Sequence, residues 1–318
     1  MQFTTPIPIE KSNHQIDYNS KIVSLGSCFA VNIGEKFEHY KFQNSINPFG
    51  ILFHPLALEK IISKAILKDE FSEEDIFFHN ERWHSFDVHS DLSASDKALF
   101  LKTLNSKLET LHSDLLESSH VIITLGTSWV YRNLKSDEVV ANCHKVPQKA
   151  FKKELLSVED IKISLEKIIE KIASLNKKAK IIFTISPVRH IKDGFVENQW
   201  SKANLISAVH SVVSIPPLGV GGLYFPSYEI MMDELRDYRF YAEDMIHPNQ
   251  TAIDYIWKRF YETWISEEAF STLQEIENIQ KGLNHRAFNE KSEQHLLFLD
   301  KLKQRISILE QQFPLMKF

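Results

Sequence analysis

Three short runs of apolar, largely β-branched residues, each closed by a glycine or a proline, constrain this chain more than any other feature. They are Lys21–Gly26 (KIVSLG), His120–Gly126 (HVIITLG) and Lys180–Pro187 (KIIFTISP). Such runs suit strands covered on both faces, as in a parallel sheet. The stretches between them, Phe29–Tyr40, Ser95–Leu116 and Ser157–Leu175, carry helical patterns. The last opens with Ser157-Val-Glu-Asp-Ile, an N-cap residue followed by an acidic first turn. Strand, helix, strand alternation of this kind predicts an α/β fold assembled from βαβ units.

Two stretches break the rhythm. Phe77–Ser90 and Trp129–Val140 read as hairpin or lid insertions near strand ends. Beyond about Ser266 the composition shifts to Glu, Gln, Lys, Leu and Ile, which sets a boundary between a domain over 1–265 and a helical extension over 266–318. In that extension Ser292–Phe313 has the apolar spacing of an amphipathic helix, either a cap on the main domain or a dimerising arm. A formal charge of −5 over 318 residues is not the basic footprint of a nucleic-acid binder. No run of about 18 apolar residues predicts a membrane-spanning helix. Met1–Tyr18 lacks the basic and apolar regions of a secretory leader, and two cysteines are too few for a disulfide framework, so a reducing cytoplasm is the expected setting. With no glycine-rich dinucleotide or phosphate loop, no cofactor is expected.

In open parallel sheets ligands bind beyond the carboxyl ends of the strands. After the first run comes Ser27-Cys28 leading straight into a helix, whose N-terminus favours a thiolate or an oxyanion. Near the other end of the chain Asp244-Met-Ile-His247 precedes the helical stretch Gln250–Trp264. An Asp three residues before a His lets one loop hold both, the carboxylate orienting an imidazole that acts as general base. Arg189 and His190, beyond the third run, are placed to contact an anionic or hydroxyl-rich substrate. His79, His84 and His89 read as substrate contacts or part of a solvated lid; no CxxC or HExxH pattern supports a metal site there.

Gly26-Ser-Cys-Phe-Ala30, with Asn47-Pro-Phe-Gly50, Leu125-Gly-Thr-Ser-Trp-Val130, Asn142-Cys-His144, Ser186-Pro-Val-Arg-His190, Tyr238-Arg-Phe-Tyr241 and the closing Asp244–Asn249 block, resembles the GSCFA family. The chain is similar, more distantly, to the SGNH (GDSL-like) hydrolases. That resemblance implies a flavodoxin-like three-layer α/β fold with a parallel sheet, and acyl-ester hydrolysis or acyl transfer on a small-molecule or O-acylated carbohydrate substrate. Placed on the SGNH pattern, Cys28 stands where the nucleophilic Ser stands, with Ser27 as its competitor. Gly50 stands for the glycine whose N–H enters the oxyanion hole. Gly126-Thr-Ser128 falls where the superfamily has Gly-x-Asn, so Ser128 replaces an Asn donor. Asp244 and His247 match the closing Asp-x-x-His, while Asn142 and His144 are implied as pocket-lining residues. The rival expectation is a non-catalytic binding or scaffold protein that keeps the fold.

Overall fold

The computed structural model describes residues 5–213, 222–286, 288–289 and 291–318. In chain order its elements are β1 (Lys21–Gly26), α1 (Cys28–His39), β2 (Gln43–Ile46), α2 (Pro55–Leu67), β3 (Phe77–His79), β4 (Arg82–His84), α3 (Lys97–Glu117), β5 (His120–Leu125), β6 (Trp129–Asn133), β7 (Val139–Val140), β8 (Phe151–Leu155), α4 (Val158–Leu175), β9 (Lys180–Ile185), α5 (Phe195–Val213), β10 (Gly222–Phe225), α6 (Ser227–Glu229), α7 (Gln250–Trp264), α8 (Phe270–Leu283) and α9 (Glu293–Gln312).

Among the described residues the main sheet has five strands, all parallel, in the order β10-β9-β5-β1-β2. Renumbered by appearance this is 2-1-3-4-5, the doubly wound flavodoxin-like order, whose switch point lies between β1 and β5. The three apolar runs became the three central strands, and their alternation explains why. Val23, Leu25, Val121, Ile123, Leu125, Ile181, Phe183 and Ile185 face a core shared with α2, α3, α4 and α5. Ile22, Ile122 and Ile182 face a second core built with α1, α7, α8 and α9. A strand buried on both faces reads as a near-continuous apolar run, and these do, with Ser24, His120, Thr124 and Thr184 as the buried polar exceptions.

The edges were not visible in the sequence. The β2 segment Gln43–Ile46 (QNSI) is half-exposed and mostly polar, and it pairs with β1 through its backbone and through Ser24 Oγ, which donates to Asn44 Oδ1 at 3.0 Å. The insertions are the β3–β4 hairpin and a small antiparallel sheet, β7-β6-β8, whose third strand was not expected. Helices α8 and α9 have no core of their own. Leu273, Ile276, Ile279, Leu302 and Leu309 join the second core, and Arg305 grips Glu275 through two bonds of 2.6 and 2.8 Å. None of the described helices is long and apolar enough to cross a membrane.

Local rules set α4 as read: Ser157 Oγ accepts from Asp160 N while the Asp160 carboxylate reaches back to Ser157 N. Ser157→Ala is expected to cost about 1 kcal/mol, measured as a shift in the urea midpoint at unchanged slope.

Candidate active site

The switch point holds the signature residues. Gly26 ends β1 at φ +132°, and Ser27 N–H crosses to Thr124 O of β5 at 3.0 Å. Ser27 is the N-cap of α1, but its Oγ makes no capping bond; the residue is fully enclosed and that oxygen has no partner among the described residues. Cys28, the first residue of α1, is half-buried. Burial pushes its thiol up, opposed by the nearby Lys202 ammonium and by the N–H groups of Phe29 and of Cys28 itself. A helix N-terminus stabilises the thiolate in this way.

Lys202 was missed from the sequence. It projects from α5 into the sheet edge, is 1% exposed, and donates to Gly126 O and Ser186 O at 2.7 Å each. Those carbonyls cap the carboxyl ends of β5 and β9. Among the described residues no carboxylate pairs with it, and burial pushes its ammonium down to about 7. A signal was present: Asn198, Lys202, Leu205 and Val209 follow helical spacing, and all four are buried.

The Asp244–His247 loop is brought to the same edge by the segment after β9. Arg189 N donates to Ile246 O at 3.2 Å, and its guanidinium donates to Met245 O and stacks 4.3 Å from the Tyr241 ring and 5.1 Å from Tyr238. Arg189 therefore works on the loop, which includes Met245 at φ +58°, instead of facing outward for substrate. Within the loop Asp244 Oδ1 accepts from the N–H groups of Ile246 and His247, and Oδ2 accepts from His247 Nδ1 at 2.6 Å. These three bonds hold the carboxyl down at about 2, although both side chains are close to half exposed. Asn249 closes the loop by capping α7 and donating to Arg239 O.

His190 lies beside this loop. Its N–H donates to Asn198 Oδ1 at 2.8 Å, its Nε2 is buried without a partner among the described residues, and burial, with the charges of Lys202 and His247 adding, pushes it down to about 3. It is a neutral imidazole at working pH. Gly126 sits among these groups: a Cβ there would lie 3.2 Å from Ser27 Cβ and 3.3 Å from His190 Nε2. Cys28, Ser27, Gly126, His190 and Lys202 thus form one cluster, and the Asp244–His247 pair borders it.

Two expected donors are spent inside the fold. Gly50, at φ +75°, gives its N–H to Asn47 O at 2.7 Å. Ser128 is fully buried and bonds α5, through Ser201 Oγ to its N–H (2.8 Å) and through its own Oγ to Ser201 O (3.1 Å). Asn47 stands close by instead: its Oδ1 accepts from Gly26 N at 2.8 Å, and its Nδ2 is buried with no partner among the described residues. Asn142 and His144 bond the segment that follows β4. Asn142 N–H meets Phe86 O, and His144 Nε2 meets Ser85 O at 2.6 Å with its ring 4.7 Å from that of His84. His84 in turn bonds Ser93 Oγ and His79 O, so its ring ties the hairpin together, while the His89 ring accepts from Asp91 N in the turn that follows. Among the described residues no three His, Cys, Asp or Glu side chains converge as metal ligands.

The fold and this edge define a doubly wound α/β protein with a cysteine-centred polar cluster at its topological switch point. The family model described as "GSCFA family" matches residues 21–260, and that described as "GSCFA domain protein, C-terminal domain" matches residues 276–318. The chain belongs to the GSCFA family. No curated protein matches it.

Proposed function

We propose that this protein is an SGNH-like acyl-ester hydrolase or acyltransferase in which Cys28 is the nucleophile, His247 the general base and acid, and Asp244 the group that orients the imidazole. The observation that carries the reading is the Asp244–His247 bond on a loop at the carboxyl edge that also bears Cys28 on a helix N-terminus. The choice between neighbours rests on access: Ser27 is fully enclosed, whereas Cys28 is half-buried.

In this mechanism the Cys28 sulfur attacks the acyl carbon and its proton passes to His247. The carbonyl oxygen becomes an oxyanion beside the N-terminus of α1, with Asn47 Nδ2 as the side-chain donor in place of Ser128. His247 returns the proton to the leaving alkoxide and a thioester forms. Water, or the hydroxyl of an acceptor, then attacks the thioester as His247 takes its proton, and the thiol is restored. An O-acylated carbohydrate fits the open, polar loop edge. The spent Gly50 and Ser128 donors favour a second reading, a binding module without turnover.

Brief exposure to p-nitrophenyl acetate followed by peptide mapping separates the two. The acetyl group is expected on Cys28, retained in Ser27→Ala and absent from Cys28→Ala. An adduct confined to Cys143, or p-nitrophenol release unchanged in Cys28→Ala, overturns the proposal. No adduct and no release with tight ligand binding supports the second reading.

A further inference from the structure

The helices over the second core enclose a cleft that the acyl chemistry does not use. The last turn of α1, the middle of α7, and α8 of the C-terminal extension surround a cavity of about 480 Å³. His39 ends α1 about 16 Å along the helix axis from Cys28, so this cleft is separate from the carboxyl edge. Its most enclosed aromatic wall is Trp257, 5% exposed and set edge-on against Phe37 of the core at 5.1 Å. Tyr40 lies parallel to that indole, with ring centroids 5.8 Å apart and 10° between the planes. Tyr261 forms a second pair with Phe270 at 4.4 Å. Tyr40, Tyr261 and Phe270 all remain partly exposed. Rings held in place yet left open over a hollow of this size form a ligand surface, not a core.

The polar groups lining the cleft limit what it takes. Lys36 pairs with Asp254, Lys258 reaches Glu262 at 3.7 Å, and Glu277 meets His39 at 3.0 Å and Lys281 at 3.2 Å. Every charged side chain of the lining thus has a partner within the fold, and an ionic guest would have to break a pair to gain one. A cation drawn by the rings would meet the ammonium groups of Lys36 and Lys258, and an anion would meet Asp254 and Glu277. The paired carboxylates keep spare lone pairs, and the Gln274 amide both donates and accepts. Burial, with the Glu277 charge adding, pushes the Tyr40 phenol up to about 12, so it keeps its proton. The guest that suits these walls is neutral, apolar on its faces and hydroxylated around its edge.

We infer that this cleft between α1, α7 and α8 is a binding site for a neutral saccharide, whose ring lays its C–H face on Tyr40 or Tyr261 while its hydroxyls meet Asp254, Glu277 and Gln274. The inference goes beyond the proposed reaction and does not need it, because no residue of the cleft belongs to the Cys28 cluster. It also gives the C-terminal extension a task. Helix α8 supplies Phe270, Gln274 and Glu277, and without them the cleft has no second wall.

The test is binding to the full-length protein, read by saturation-transfer NMR and by calorimetry, with maltotriose and triacetylchitotriose as probes. The sugar-ring protons are expected to receive saturation, and Tyr40→Ala is expected to weaken binding about tenfold through the loss of one stacking face. Tyr40 also leans on Trp257, so a second variant leaves every ring in place. Gln274→Trp, at an exposed position of α8, fills the cleft and is expected to abolish the signal. Adenosine and choline serve as planar aromatic and cationic comparators. No saturation of either saccharide up to about 10 mM, or binding retained in Gln274→Trp, overturns the inference, as does preference for adenosine or choline over both sugars. Binding lost in Tyr238→Ala but intact in Tyr40→Ala puts the sugar at the carboxyl edge and overturns it too. None of these measurements involves turnover. Saccharide binding with no acyl adduct on Cys28 therefore sinks the esterase reading alone, and an adduct with no binding sinks the cleft alone.

Discussion

Gly26→Ala is expected to remove most of the folded protein, more than any other substitution of a single methyl group at this edge. Gly26 sits at φ +132°, a conformation L side chains rarely adopt, and an added Cβ would lie 2.1 Å from Thr124 O. That oxygen cannot retreat, because it accepts the Ser27 N–H that joins β5 to the start of α1. Gly26 is also pinned on both sides, its N–H to Asn47 Oδ1 and its carbonyl to Leu52 N–H. Backbone strain and overpacking each cost about 1–3 kcal/mol, a large part of a typical margin of about 5–15 kcal/mol. Gly34→Ala provides the contrast. Its Cβ would meet Ile46 Cδ1 at 2.6 Å and Cγ1 at 2.7 Å, side-chain and not backbone atoms, so the cost there is that of overpacking without the backbone strain. Thermal melts and soluble yield of the two variants check the point. A Gly26→Ala protein melting within a few degrees of the parent would mean that the β1–α1 turn is not built this way.

What the sequence made legible follows from how local each determinant is. The central strands could be read because burial on both faces leaves no room for a polar residue at Ile122 or Ile182. The ends of α4, α7 and α9 could be read because Ser157, Asn249 and Ser292 act within their own first turns. The edge strand β2 could not, since its polar residues are placed by pairing with β1. The site divides the same way. Asp244 and His247 were legible as a pair because three residues of one loop bring them together. Whether the Gly50 and Ser128 donors are free depends on Asn47 O and Ser201, partners the motif does not name. Lys202 escaped notice because a lysine in a helix ordinarily reaches solvent, and only its phase with Leu205 and Val209 marks it as inward.

Asp244→Asn and His247→Ala are each expected to slow acylation of Cys28 by about 10²–10⁴-fold while leaving the protein folded, since both side chains lie near the surface. The asparagine case is the more informative. Its amide can still accept from Ile246 and His247 N–H, so the loop survives, but it no longer fixes which imidazole nitrogen carries the proton or offsets the imidazolium as it forms. If the two act as one unit the double variant should be no slower than His247→Ala, because an orienting group has nothing left to orient. The pH dependence has a defined sign. The Asp244 carboxyl is held down at about 2 from an ordinary value near 4, so the stabilisation it gives the loop is complete above about pH 4 and is lost only as the pH falls through about 2. Any loss of activity between pH 7 and 4 must then arise from a group other than the Asp244 carboxyl. Iodoacetamide labelling of Cys28 supplies the control, because it reads the reactivity of the thiol without any acyl chemistry. Loss of acylation with alkylation kept in His247→Ala would place His247 at the acyl-transfer step, whereas equal loss of both would make His247 the group that ionises Cys28.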